Sequence, residues 1–152
     1  MTEKVLTFYL NDTLFGINIT LIKEINRNAE YTSVPDAKPY IIGLFNMRGQ
    51  IVTLFDLGKI LGLPEGTKSE NSVCVILKYR PNDPNQSGFL IDRTGDVIDI
   101  DREECELPPA NIGYLEGEYI DSVVKLSNEL LILIDPDKVF KNLVSEKEDN
   151  KC

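Results

Sequence analysis

The chain has 152 residues, 42% of them hydrophobic, which allows a buried core but leaves no room for a separate catalytic domain. Its 16 Lys and Arg against 25 Asp and Glu give a net charge of -9, which disfavours nucleic acid and anionic membranes as partners. It contains no histidine, which excludes His-based acid–base catalysis, Ser-His-Asp and Cys-His nucleophiles and histidine metal ligands.

In chain order, short apolar runs separated by turn residues predict a mostly β protein. The predicted strands are Val5 to Leu10, Ile41 to Phe45, Ile51 to Phe55, Val73 to Leu77, Phe89 to Ile91, Val97 to Ile100, Tyr119 to Leu126 and Leu130 to Ile134. Helical pattern is confined to Leu57 to Leu61, after Asp56, and to a terminal helix that Asp135-Pro136 opens and that runs through Leu143.

The two halves of the chain align on each other without gaps. Phe15 to Pro35 aligns on Phe89 to Pro109, and Gly43 to Leu61 aligns on Ser122 to Phe140. Any two β-rich halves share alternating apolar residues, but matched Phe, Pro, Asp and Lys residues in order favour a duplication. Two similar small β units would share an apolar contact, and the groove between them is the natural binding site.

Cysteine content and termini bear on the compartment. The 3 cysteines are odd in number and lack CxxC spacing, which favours reduced thiols rather than disulfides or a metal site. The N-terminus has no signal-peptide pattern, and no apolar run is long enough to cross a membrane. We therefore expect a cytoplasmic protein, with a disordered charged tail over residues 144–152.

One hairpin stands out. Residues 43–57 read as strand, tight turn and strand, with Gly49 where positive φ is needed and Arg48 at the surface. A lone turn Arg is usually solvated, but Glu24 could pair with it and fix a recognition loop. The alternative for Glu24 is an unpaired, exposed carboxylate.

The acidic residues suggest structure rather than catalysis. Asp56 and Asp135 each precede a helical turn, where a carboxylate caps free backbone N–H groups. Counted from Asp92, the acidic cluster that ends at Glu104 has no glycine at the sixth position of a Ca²⁺-binding EF-hand loop, which favours a solvated strand face. No nucleotide, acyl-transfer or zinc-protease motif occurs, so we predict no catalytic residues, no cofactor and no metal.

The block from Gly43 to Leu57 resembles the CheW family signature, a strand, an Asn-x-Arg-Gly turn and a strand ending in Asp-Leu. The resemblance covers residues 5 to about 143. It continues through Phe15-Gly16-Ile17, Ile22-Lys23-Glu24-Ile25, Val34-Pro35, Phe89-Leu90-Ile91-Asp92, Asp96-Val97, Leu107-Pro108-Pro109 and Leu131-Ile132-Leu133-Ile134-Asp135.

For the fold, the resemblance implies two pseudo-symmetric five-stranded SH3-like β-barrel subdomains with short helical turns. We expect one domain over residues 1–143. Its lobes would span about 14–70 and 72–143, with strand exchange at the N-terminus.

For function, the resemblance implies a non-enzymatic chemotaxis adaptor that couples the cytoplasmic hairpin tips of methyl-accepting chemoreceptors to the regulatory domain of a CheA-type histidine kinase. No cofactor is implied, and no kinase-contact residues can be nominated. The positions that match receptor-binding positions of the family are Ile22, Glu24, Gly43, Arg48, Ile51 and Val97.

Three alternatives remain open. The first is a CheW-like coupling protein of a system that controls pili or gene expression. The second is an enzyme whose site uses Asp92, Asp96 and Arg48, or Cys74. The third is a structural homodimer whose groove is filled by a second copy.

Overall fold

The computed structural model describes residues 2–63, 73–78, 86–107 and 119–139. The predicted tail 144–152 and the end of the predicted terminal helix lie outside the described residues. The described part of that helix, residues 136–139, is helical. The helix α1 spans Leu57–Leu61, and short 3-10 helices span Ile19–Leu21 and Arg102–Glu104. The strands are β1 (Thr2–Leu10), β2 (Thr13–Asn18), β3 (Ile22–Asn26), β4 (Ile41–Met47), β5 (Gln50–Phe55), β6 (Val73–Leu77), β7 (Gln86–Ile91), β8 (Arg93–Asp101), β9 (Ile120–Lys125) and β10 (Leu130–Ile134).

These strands form two five-stranded sheets. The terminal sheet has the order β8-β1-β2-β10-β9, and the central sheet has the order β3-β6-β7-β5-β4. Each sheet contains one parallel pair, β10 with β2 and β5 with β7, among antiparallel neighbours. The predicted mostly β fold with two five-stranded units is therefore confirmed.

The two sheets repeat each other in detail. Under the alignment found in the sequence, β7, β8, β9 and β10 correspond to β2, β3, β4 and β5, and they occupy the same places in the sheet order. Even an isolated bridge is repeated, because Thr32 pairs with Leu44 and the aligned Glu106 pairs with Val123. These matches confirm the predicted duplication. Closure of each unit as an SH3-like barrel stays a prediction, with which both bridges are compatible.

The sheets do not follow the predicted lobe boundaries of 14–70 and 72–143. Strand β2 lies in the terminal sheet with β8, β9 and β10, whereas β6 and β7 lie in the central sheet with β3, β4 and β5. The reason is which strands pair with each other. Strand β1 lies between β8 and β2 in the terminal sheet, in the place that β6 occupies between β3 and β7 in the central sheet. Each sheet is thus completed by strands from both halves of the chain.

Among the described residues, the core has three parts because many strands are buried on both faces. In β6, Val73, Val75 and Leu77 face a large cluster between the sheets, while Cys74 and Ile76 face a cluster inside the central sheet. In β10, alternate residues face in the same way either this cluster between the sheets, called the shared core from here on, or a cluster inside the terminal sheet. Each fully buried aliphatic side chain stabilises the fold by about 1.5 to 3 kcal/mol before the entropy of ordering is counted.

Local signals explain where the first helix begins and ends. Asp56 is the N-cap of α1, and its carboxylate accepts a hydrogen bond of 3.1 Å from the Lys59 amide. Gly62, with φ of 90°, ends the helix in the left-handed conformation. Asp135 accepts a 3.0 Å hydrogen bond from the Asp137 amide at the corresponding place in the second half. In the part of the chain that the structure describes, no helix has the length and apolarity that a membrane span requires.

Candidate functional site

The turn between β4 and β5 displays an arginine in a constrained conformation. Arg48 and Gly49 are the two residues of the turn, with φ of 52° and 85°, and Met47 pairs with Gln50 across it. Positive φ at both positions defines a type I′ turn, whose twist matches that of the flanking strands. The Asn46 side chain accepts a 2.9 Å hydrogen bond from the Gly49 amide and holds the turn from within. The turn therefore projects Arg48 in one orientation.

An ion pair joins this turn to β3. The Arg48 guanidinium lies 2.7 Å from the Glu24 carboxylate, and the Glu24 side chain is the less exposed of the two. The predicted pairing of Glu24 with Arg48 is confirmed. An exposed ion pair adds less than about 1 kcal/mol to stability, so its main effect is to fix the direction of the Arg48 side chain.

The pair stands over a shallow cleft of about 430 Å³. Apolar Phe45 and Met47 contribute to the lining, and both also belong to the cluster inside the central sheet. The polar lining residues are Glu24, Asn26, Asn28, Glu30, Asn46 and Arg48. The cleft combines amide and carboxylate groups with one guanidinium, and these groups suit hydrogen bonding to a polypeptide.

Two exposed apolar side chains extend the surface of the shared core outwards. Ile51 is 55% exposed and lies on the same face of β5 as Phe55, which is buried between the sheets. Val97, on β8, is 49% exposed and pairs with Leu6 of β1, which belongs to the same shared core. Leu44, 37% exposed on β4, adds a further apolar group beside β5. An isolated exposed aliphatic residue needs no explanation, but apolar groups that continue a core outwards are typical of a binding surface.

The other two predicted site residues lie deeper. Ile22 is half-buried, pairs with Leu77 on β6 and packs against the shared core. Gly43 is buried on β4, where a Cβ would lie 2.4 Å from the Thr32 carbonyl oxygen. The predicted site residues of the central sheet are Ile22, Glu24, Gly43 and Ile51, with Arg48 in the β4–β5 turn, whereas Val97 belongs to the terminal sheet.

The geometry does not favour the enzyme alternative. Cys74 has no exposed surface, and burial raises the pKa of its thiol to about 11, so the nucleophilic thiolate is scarce near neutral pH. The Asp92 carboxylate accepts a 2.6 Å hydrogen bond from the Asn11 amide, far along the chain, and so fixes the β1–β2 turn. Among the described residues, no cluster of Cys, Asp and Glu could hold a metal ion.

A second cleft, of about 180 Å³, lies on the terminal sheet. Arg102, which lines this cleft, is held at 3.0 Å from Glu3 and 2.6 Å from Asp121, and the Asp121 hydrogen bond raises the pKa of Arg102 above its usual value. With its charge already offset by two carboxylates, Arg102 is a structural clamp between β1, β9 and the 3-10 helix that contains it.

Sequence reasoning missed several residues around the Arg48 turn. Leu44 lies in a predicted strand, but only the observed alternation of buried and exposed residues shows that it faces solvent. Asn46 could have been found, since an Asn side chain can accept hydrogen bonds from nearby backbone amides. Gln50 and Gln86 gave no signal, because only the parallel pairing of β5 with β7 brings them together.

The fold and this surface define a duplicated two-sheet β protein with a polar cleft and exposed apolar groups, which is the architecture of a protein-binding module. The CheW-like domain model matches residues 4–144. The chain is 33% identical over 138 residues to "Chemotaxis protein CheW" of Bacillus subtilis, covering 91% of this chain and 86% of that protein. It is 32% identical over 151 residues to the protein of the same name in Treponema pallidum, covering 97% and 87%.

A solved structure shows the same fold. The crystal structure of the scaffolding protein CheW from Thermoanaerobacter tengcongensis matches with a TM-score of 0.76 at 27% identity, over 89% of this chain and 85% of that one. The chain therefore belongs to the CheW family of chemotaxis scaffold proteins.

Proposed function

We propose that this protein is a cytoplasmic, non-enzymatic adaptor that binds the cytoplasmic tip of a chemoreceptor and the regulatory domain of a CheA-type histidine kinase at the same time. The observation that carries the proposal is the Glu24–Arg48 pair, which holds an arginine at a turn beside exposed apolar residues in a chain of the CheW family. Residues 1–143 act as one adaptor domain, and no cofactor takes part.

Receptor binding is assigned to Ile22, Glu24, Gly43, Arg48, Ile51 and Val97. A chemoreceptor tip is a helical hairpin, and a helix can lay an apolar stripe against exposed aliphatic groups such as Ile51 and Val97. Arg48 would then add a directed polar contact at the edge of the stripe. Ile22 and Gly43 act through the shape of the surface, because one is half-buried and the other has no side chain.

The direct test is a calorimetric titration of the protein with a receptor cytoplasmic fragment, and separately with the kinase regulatory domain, both from the same organism. A third titration adds the kinase domain to the preformed receptor complex. We expect binding in all three, with dissociation constants in the micromolar range, equivalent to about 8 kcal/mol. Failure of the third titration would mean that the two sites exclude each other, which contradicts an adaptor.

Two further outcomes separate the alternatives. Binding only to receptor and kinase components encoded with a pilus or gene-regulation system would assign the protein to a non-flagellar pathway. A homodimer in sedimentation experiments that persists when kinase domain is added would favour the structural alternative, in which a second copy fills the groove.

A further inference from the structure

A second set of side-chain contacts holds the Arg48 turn from the side opposite Glu24. The Gln50 side chain, directly after the turn, accepts a hydrogen bond from the Gln86 side-chain amide on β7. The side-chain oxygen of Gln86, Oε1, accepts a hydrogen bond of 3.4 Å from the Lys23 ammonium. Lys23 is the neighbour of Glu24, so both sides of the turn are connected to the same dipeptide of β3.

The contacts form a closed ring of side chains next to the β4–β5 turn of the central sheet. The ring runs from Glu24 to Arg48, along the turn to Gln50, across to Gln86 and back through Lys23. Its only buried member is Gln86, which is 6% exposed and begins β7. A buried side-chain amide needs hydrogen-bond partners for its NH2 group and for its oxygen, and the ring supplies one partner for each.

The turn needs such support because Arg48 is not a glycine. An L-residue with φ of 52° is strained, and it keeps that conformation only when its surroundings determine it. Glu24 restrains the Arg48 side chain, and Asn46 restrains the Gly49 amide. Neither restrains Gln50, where β5 begins, and this residue is the one that Gln86 anchors.

We propose that Gln86 is a positioning residue for recognition: its buried amide, acting through Gln50, holds the Arg48 turn in the conformation that binds the receptor helix. Gln86 itself does not touch the receptor. This inference rests on the proposed function, because it assigns Arg48 to receptor recognition.

The first arm of the test uses the free protein. Gln86→Met keeps the length of the side chain but removes its amide, and Gln50→Met breaks the same hydrogen bond from an exposed position. Ser87→Ala is the matched control, since Ser87 is the next residue of β7. Solution NMR would record the backbone coupling constant and relaxation of Arg48 in each variant. We expect altered coupling and exchange broadening of Arg48 in both Met variants and not in the control.

The second arm is a titration with the receptor fragment, in the Arg48 and the Arg48→Ala backgrounds. Loss of one hydrogen bond predicts about fivefold weaker binding for Gln86→Met when Arg48 is present. With Arg48→Ala, the same substitution should leave the affinity unchanged, because a positioning residue has nothing left to position. Equal losses in both backgrounds would overturn the proposal, as would unchanged Arg48 NMR signals in both Met variants.

The two arms separate this inference from the proposed function. If the unsubstituted protein fails to bind the receptor fragment, the proposed function fails and the positioning role in recognition falls with it, whereas an altered Arg48 NMR signal would still show that Gln86 sets the turn. If the protein binds but Gln86→Met changes neither readout, only the present inference is wrong. Should Gln86→Met not fold, Gln50→Met decides the result, because Gln50 is exposed.

Discussion

Gly43 lies directly against the backbone of Thr32. The two segments exchange hydrogen bonds next to this contact, with the Thr32 amide donating to Leu44 at 2.8 Å and the Leu44 amide donating to Thr32 at 2.9 Å. A Cβ on Gly43 would lie 2.4 Å from the Thr32 carbonyl oxygen, closer than real Cβ contacts come. The bridge between Thr32 and β4 therefore requires glycine at position 43.

Gly43→Ala should destabilise the protein by about 1 to 3 kcal/mol, because the new methyl group overpacks against backbone that cannot rotate away. Urea denaturation followed by circular dichroism measures the change. Gly49→Ala is the informative comparison. Nothing lies within 4 Å of its would-be Cβ, and it should cost roughly 1 kcal/mol through its positive φ alone. If Gly43→Ala were as stable as the unsubstituted protein, the conclusion that the Thr32 backbone leaves no room for a side chain at position 43 would be wrong.

Arg48→Ala should weaken binding to a receptor cytoplasmic fragment by about tenfold while changing stability by less than about 1 kcal/mol. The reason is that the Arg48 side chain is exposed. Its polar contact therefore contributes to receptor binding and adds little to folding. Lys4→Ala is the control, since Lys4 is also exposed and also forms an ion pair, at 3.7 Å from Asp99. Isothermal titration calorimetry of both variants gives the comparison. If Arg48→Ala binds the receptor fragment as tightly as Lys4→Ala does, the assignment of Arg48 and Glu24 to the receptor-binding site is wrong.

Ile51→Asp and Val97→Asp should each weaken receptor binding by about tenfold, because a carboxylate desolvated against an apolar stripe is unfavourable. Thermal unfolding should shift little, since Ile51 and Val97 are about half exposed. Leu130→Asp is the matched control. Leu130 is 45% exposed and begins β10, and the family resemblance assigns it no receptor contact. Equal losses in all three variants would point to a general charge effect rather than a site.

Much of the fold was predictable because most strands carry apolar runs of the right length. Val73–Leu77 and Leu130–Ile134 were predicted with the bounds that the structure gives them. Strands β2 and β3 were not predicted, because Thr13–Asn18 contains a glycine between short apolar groups and Ile22–Asn26 is only half-buried. Their existence depends on partners distant in the chain, such as the pairing of β2 with β10, and no local pattern reports such pairing.

The candidate site was predictable to a different degree. The Arg48–Gly49 turn and its pairing with Glu24 followed from turn chemistry and charge. The positive φ of Arg48 did not, because the first position of a type I′ turn favours Asn, Asp or Gly. The contact of Gln50 with Gln86 depends on which strands lie side by side, and this arrangement is a property of the whole sheet.

Cys74 provides a prediction for the alkaline range. Its thiol is buried in the central sheet, and burial raises its pKa from 9.0 to about 11. The folded state therefore binds the Cys74 proton more tightly than the unfolded state does. The stabilisation is complete below about pH 9 and is lost as pH rises through 11. The total effect has an upper bound on the order of 3 kcal/mol.

Cys74→Val removes the ionisable group while keeping an apolar side chain of similar size. We expect this variant to lose less stability than the unsubstituted protein between pH 8.5 and pH 10.5, a range chosen around the Cys74 pKa values of 9.0 and about 11. Urea denaturation at intervals across that range measures the slope. Cys105→Val is the control, because Cys105 is only half-buried at the surface of the terminal sheet. Parallel slopes for the unsubstituted protein and Cys74→Val would mean that the Cys74 thiol ionises in the folded state as readily as in the unfolded chain, which its burial should prevent.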